Sequence, residues 1–185
     1  MVTGGQRHAV GNEHGRLILR TSRAGLAAQA GHDLTIEVTR WSGVIVLAEG
    51  LADSTVEITA EAGSLRVLEG RGGVKPLSDR DKREIAGNAR KILESDRHPE
   101  FRYASNKITP DEHGGGAIDG ILTILGRDRP FRLEVTSMGE GRYRATGEMI
   151  QTEFGIKPYS GLFGALKLAD PIKLEAEIDL SGDTG

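Results

Sequence analysis

At 185 residues the chain is long enough for one domain with a substantial core. Its 24 Lys and Arg stand against 27 Asp and Glu, a net charge of -3 that offers nucleic acid no basic surface. Cysteine is absent, which excludes a disulfide framework, a zinc–cysteine site and a thiol nucleophile.

Residues 1–14 read as a flexible or edge leader to a domain spanning residues 1–185. The leader lacks the roughly 7–15-residue apolar segment of a secretory signal. No later run approaches the ~18 apolar residues of a membrane span, so the sequence points to a cytoplasmic protein. Leu17, Ile18 and Leu19 begin the first strand. Leu34, Ile36 and Val38 then alternate with Thr35, Glu37 and Thr39, as on a sheet with one dry face. Trp41 to Gly43 reads as a short connection, Val44 to Ala48 as a strand, and Val56, Ile58 and Ala60 as its return. Leu65 and Val67 make a further strand, and Gly70 to Pro76, carrying Arg71 and Lys75, is the mobile loop before the helix.

The one convincing helix starts at Ser78, where Asp79 and Asp81 complete a capping box with Asp in place of Glu. Ile85, Ala86, Ala89, Ile92 and Leu93 recur on one face. Pro99 disfavours helical geometry at His98, so the helix should end near Asp96 after roughly 18 residues.

Beyond it, Phe101 to Ile108 is a strand and Pro110 to Gly116 a loop; Ile118 to Leu125 and Phe131 to Thr136 form a hairpin about a turn at Gly126 to Pro130. Tyr143, Ala145, Gly147 and Met149 share one strand face, with small residues that leave space there. The glycine-and-aromatic stretch Phe154 to Gly164 precedes a final strand of Ile172, Leu174, Ala176, Ile178 and Leu180. The expected fold is all-β with one main helix: about eight antiparallel strands closed into an extended barrel, because a flat sheet of this kind would expose both edges. The inward set is slender and only 4% of the chain is aromatic, which favours a cavity with the amphipathic helix as its lid.

Several segments in order carry a likeness: Gly31-His32-Asp33 and Trp41-Ser42-Gly43, the helix ending SDRHPEFRYAS, the hairpin DGILTILGRDRPFRLEV, and the close FGIKPYSGLFGALKLADPIKLEAEIDL. Together they resemble the YceI-like proteins, lipocalin-like barrels that bind polyisoprenoids. The resemblance implies a long apolar tunnel with a helix beside it. It also implies a bound isoprenoid or similar long-chain lipid, an isoprenoid quinone or polyprenyl lipid, held as a ligand with no cofactor. Many members carry a signal peptide and a second histidine next to Ser ahead of His32; here the corresponding strand reads RLILRTSRAG.

The candidate lining is Leu17, Leu19, Ile36, Val38, Val56, Ile58, Ile85, Ile92, Leu122, Ile124, Phe131, Leu133, Phe154, Phe163, Ile172 and Leu174. Tyr159 is added at the mouth, and His32 as a hydrogen-bond partner for a head group. The same residues fit plainer roles, His32 as a turn histidine and Phe154, Tyr159 and Phe163 as ordinary core. His8, His14, His98 and His113 show no metal-ligand spacing, and no catalytic constellation stands out, so the reading is a non-enzymatic lipid binder. Arg127 with Arg129, or Lys75 with Arg71, are candidate phosphate contacts or solvated surface. Two rival readings are an isomerase or other small-molecule enzyme using His32 and Asp33, and a ligand-free stress or interaction module with a solid core. The oligomeric state, homodimer included, is left open.

Overall fold

The computed structural model describes residues 5–182; residues 1–4 of the expected leader lie outside them. The chain opens with β1 (Gln6–Gly11), β2 (Gly15–Arg20), the short β3 (Arg23–Ala24) and β4 (His32–Val38). β5 (Trp41–Leu47), β6 (Thr55–Glu61) and β7 (Leu65–Gly72) precede the helix α1 (Asp79–Ile92). β8 (Glu100–Pro110), β9 (Gly116–Ile124), β10 (Arg127–Gly139), β11 (Arg142–Ile150), the short β12 (Ser160–Gly161) and β13 (Leu166–Leu168), and β14 (Pro171–Asp179) complete it.

Eleven strands form one antiparallel sheet in the order β1-β5-β6-β8-β9-β10-β11-β14-β2-β4-β7, and β12-β13-β3 form a second, small sheet. The closed barrel of about eight strands is therefore corrected to a curled half-barrel of eleven, with no ladder between β1 and β7 among the described residues. The curl follows from connectivity. β4 leads into β5, and β6 into β7, so the chain crosses twice between the two ends of the sheet through very short links, and those ends must lie together. Here the crossings are bonded to each other: Thr39 N–H and Oγ1–H donate to Ser64 O at 2.9 and 2.8 Å, and Glu61 N–H donates to Arg40 O at 2.9 Å. Ser64 Oγ, in a residue only 4% exposed, accepts from Arg40 N–H at 3.1 Å and donates to Glu61 O at 2.8 Å. Bulges at Thr35/Ile36, Ser105/Lys107 and Ser137/Gly139 bend individual strands further.

The helix begins as the sequence requires. Ser78 Oγ accepts from Asp81 N–H at 3.2 Å, and the Asp81 carboxylate accepts from Ser78 N–H at 2.9 Å. It ends four residues before the expected Asp96, because Leu93 leaves helical geometry and Glu94 takes a left-handed backbone (φ 44). The chain runs on as turns to His98, whose N–H donates to Glu94 O at 2.9 Å, so Pro99 acts only after the helix has stopped. α1 packs against β7, at the free end of the sheet.

Further boundaries move, among them the loop before the helix, expected from Gly70, which starts only after Gly72 because Gly70–Gly72 pair with β4. Trp41 to Gly43 is no connection but the start of β5, with Trp41 buried and paired to Ala60; the connection is Thr39–Arg40. The hairpin turn is Leu125–Gly126, both left-handed (φ 53 and 69), so Arg127 to Pro130 belong to β10. The leader contributes β1, an edge strand in register with β5.

The outer face is a lattice of ion pairs, Arg144–Glu177 at 2.5 Å, Arg132–Asp119 at 3.1 Å and Arg16–Glu37 at 3.3 Å, with Arg66 also on Glu37. Exposed pairs of this kind contribute little. Glu37 is the exception, with its side chain 13% exposed between two guanidiniums. Burial pushes its carboxyl up, but the hydrogen bonds and charges of Arg66 and Arg16 outweigh this and hold it below its ordinary value.

Two predictions follow from the packing. Ser64→Ala should lower the unfolding free energy by about 1–3 kcal/mol, read by urea denaturation; an unchanged midpoint would show that backbone bonds alone fasten the seam. Glu37→Gln should be destabilising by up to about 1 kcal/mol at pH 7. Because the folded carboxyl is the stronger acid, that difference should vanish as pH falls through its titration in the acid range. A difference that persists in acid would contradict the ion-pair origin.

Candidate functional site: an apolar cavity along the curled sheet

The inner face of the sheet is built from rows of facing side chains. Val67, Ile36, Leu19, Leu174 and Gly147 stand opposite one another across β7, β4, β2, β14 and β11. Ile58, Tyr103 and Leu122 form a second row across β6, β8 and β9. These rows do not meet in the middle. They surround a cavity of about 300 Å³ that reaches from Leu51, Ser54 and Gly115 at one end to Thr21, Gln151, Tyr159 and Leu168 at the other. That volume lies at the lower limit of the ~300–1,000 Å³ typical of small-molecule sites. Ala89, Ile92 and Leu93 of α1 and its C-terminal turn complete the wall where β7 runs out.

Most of the sequence-derived lining faces this cavity: Leu17, Leu19, Ile36, Val38, Val56, Ile58, Ile92, Leu122, Ile124, Phe131, Leu133, Tyr159, Ile172 and Leu174. Four residues do not. Ile85, on α1, packs against the core without reaching the hollow, and Phe154 is buried as plain core, 1% exposed. Phe163 stands fully in solvent. His32 points its Nε2 to Lys75 O at 2.8 Å and so fastens the loop before α1. Asp33, on the opposite side of the strand, accepts from Arg23 N–H at 2.8 Å. The His32–Asp33 acid–base pair of the enzyme reading is thus divided between two faces of β4, away from the cavity.

Sequence reasoning passed over Ile45, Leu47, Ile118, Met149, Ile156 and Ile178, which also line it. Ile45 and Ile178 carried a usable signal, since each falls on the inward parity of a strand already recognised. Tyr103 is the main polar surprise. Its hydroxyl faces Ile118 O at 3.2 Å and Phe131 O at 3.4 Å, and burial, with Asp119 adding to it, pushes the phenol well above its ordinary range. It is a neutral group at any physiological pH. Its ring meets Phe131 edge to face at 6.1 Å. The space expected beside Gly147 is taken by that second ring: a Cβ at Gly147 would come within 2.6 Å of Phe131 Cζ, and one at Gly120 within 2.7 Å of the Tyr103 ring.

Of the polar lining residues, Thr21, Ser54, Arg102, Tyr103, Tyr143, Gln151 and Tyr159, none is a carboxylate or an imidazole. Among the described residues no group of three His, Asp or Glu is arranged to hold a metal ion. A second hollow, about 440 Å³ and open, lies on the outer face over Ile18, walled by Arg16, Arg20, Glu175 and Glu177. Its walls are taken up in ion pairs such as Arg20–Glu175 at 3.7 Å, so the apolar interior is the candidate site.

The sequence over residues 13–180 matches the YceI-like domain family. The chain belongs to the YceI-like family. No curated protein matches it in sequence. Among solved structures it is similar to BcnA of Burkholderia cenocepacia, at 13% identity and a TM-score of 0.63, covering 89% of this chain and 94% of that one. It is also similar to the YCEI protein of Campylobacter jejuni, at 15% identity and a TM-score of 0.56, covering 77% of this chain and 81% of that one. At such identities these likenesses establish the fold.

His8 was dismissed in the sequence for want of a partner histidine. It projects inward from β1 opposite Ile45, is 3% exposed, and neither ring nitrogen has a hydrogen-bond partner among the described residues. An unsatisfied buried polar group carries a penalty of about 1–3 kcal/mol. His8→Leu should therefore raise the urea midpoint; a lower midpoint would show that the ring makes a favourable contact.

Proposed function

We propose that this YceI-like chain binds and sequesters or transports one long, slender lipid, an isoprenoid such as a quinone tail or polyprenyl chain, along the interior of its half-barrel. The observation that carries this reading is the cavity itself, a narrow hollow running the length of the sheet with almost wholly hydrocarbon walls. Each 100 Å² of tail removed from water contributes roughly 2.5 kcal/mol, against roughly 4–15 kcal/mol of lost translational and rotational freedom. A tail must therefore bury a few hundred Å² before binding becomes favourable. Length and slimness select the ligand, and short alkyl groups are rejected without any polar reader. Of the buried polar groups in the lining, Tyr103 and Gln151 already direct their hydrogen bonds at backbone carbonyls, Ile118 O and Ala169 O, and the Thr21 and Ser54 hydroxyls accept from Leu34 and Ala48 N–H. Such a wall holds a ligand by shape.

Native mass spectrometry of the protein purified without detergent from a host that makes isoprenoid lipids should show a retained mass of lipid size. Ile58→Trp, which puts an indole into the row with Tyr103 and Leu122, should lose that mass while keeping its circular dichroism spectrum. Bare wild-type protein after gentle extraction, or equal retention by the variant, would contradict the reading.

A further inference from the structure

The end of the sheet that holds Thr21, Gln151, Tyr159 and Leu168 is also where exposed apolar side chains gather. Leu26, Val74, Leu162 and Phe163 are the four most exposed large hydrophobics among the described residues, at 101%, 87%, 57% and 112%. They come from three separate loops that the fold draws together. Ala27 N–H donates to Ala165 O at 2.9 Å, which sets Leu26 beside the turn that carries Leu162 and Phe163. Leu166 lies over Gly31, and the next residue, His32, sits against Gly73 and bonds Lys75 O, holding Val74 between them. Leu162 and Phe163 both adopt left-handed backbone (φ 49 and 55), an unfavourable conformation for bulky residues, and the turn leaves the Phe163 ring in water. An apolar cluster kept exposed in this way is a mark of an interaction surface.

Charge identifies the partner. The three segments 21–31, 70–77 and 155–168 contain Arg23, Arg71, Lys75, Lys157 and Lys167 and not one Asp or Glu, in a chain whose net charge is -3. Arg23 and Arg71 are near Asp33 and Glu69, and the charge of Lys75 reaches Asp81, whereas Lys157 and Lys167 carry no such neighbour among the described residues; all three lysines are exposed beside the apolar cluster. Hydrophobic tips ringed by lysines match the boundary of an anionic bilayer, where rings and aliphatic chains enter among the acyl chains and ammonium groups lie at the phosphates.

We propose that this end docks on an anionic lipid bilayer, inserting Leu26, Val74, Leu162 and Phe163 at the headgroup boundary. The inference rests on the lipid-binding reading, because it turns the Thr21–Tyr159–Leu168 end of the cavity toward the phase in which the ligand is dissolved. A second copy of the chain is the competing occupant, but apposing two identical surfaces of this kind would bring their lysines together.

Co-sedimentation with phosphatidylcholine vesicles, with and without roughly 30% phosphatidylglycerol, tests it, together with light-scattering mass on the same samples. Binding should be stronger on the anionic vesicles by about tenfold or more, fall between roughly 0.05 and 0.5 M salt, and drop about tenfold in the double variant Leu162→Asp, Phe163→Asp with its thermal midpoint unchanged. Protein that stays in the supernatant, vesicle binding indifferent to the double variant, or a dimer that the double variant abolishes would overturn the proposal. Ile58→Trp separates the two claims, since it leaves the docking loops intact. Vesicle binding by that variant without lipid uptake supports the docking surface on its own, whereas uptake by wild type without vesicle binding removes the docking surface and leaves the cavity reading standing.

Discussion

The structure depends on the seam between the two ends of its sheet. Eleven strands with free edges would ordinarily lie as an open, twisted sheet, with one apolar face in water. Here the Thr39–Arg40 and Ala62–Ser64 links hold the ends together, through bonds that converge on Ser64 and Arg40. Once those ends are joined, the inner face has no choice but to enclose a volume. α1 then covers the stretch beyond β7 that the links do not reach, with Ala89, Ile92 and Leu93 turned to the interior. The fold closes without a complete hydrogen-bonded barrel because a helix and two short links do the work of the missing ladder.

What remains inside is set by side-chain size along the rows. Large rings enter the interior at Tyr103 and Phe131, and each lies over a glycine of a neighbouring strand, Gly120 and Gly147. Phe101, Tyr143 and Tyr159 are the other rings that face the interior, and most of the remaining lining is Val, Ile, Leu and Ala, whose side chains do not span the gap. The hollow is thus a consequence of which positions hold aromatics, and its walls are almost free of groups that demand hydrogen bonds. Water gains few partners there, and a hydrocarbon chain gains contacts on all sides.

Much of this was legible in the sequence. The alternation in β4, β6 and β14, the capping box at Ser78 and the apolar face of α1 each have a local cause, and they place both the sheet and the residues that turn inward. What could not be read has a nonlocal cause. β1 hides in a polar leader because its inward pair is His8 and Val10 instead of two aliphatics. Strand count and closure depend on which distant edges meet, which no periodicity encodes. Phe163 and Phe154 are both aromatics in one glycine-rich stretch, yet a left-handed turn puts one in solvent while the other is core. His32 looked like a head-group ligand, but the loop carbonyl of Lys75 that occupies it lies 43 positions further on.

The measurement closest to the central claim is a crystal structure of the protein loaded with a long-chain lipid carrying a bromine on its tail. An anomalous peak between Ile58, Leu122 and Leu174 is the expected result. A bromine found only on the outer surface, with the interior rows closed on one another, would contradict it.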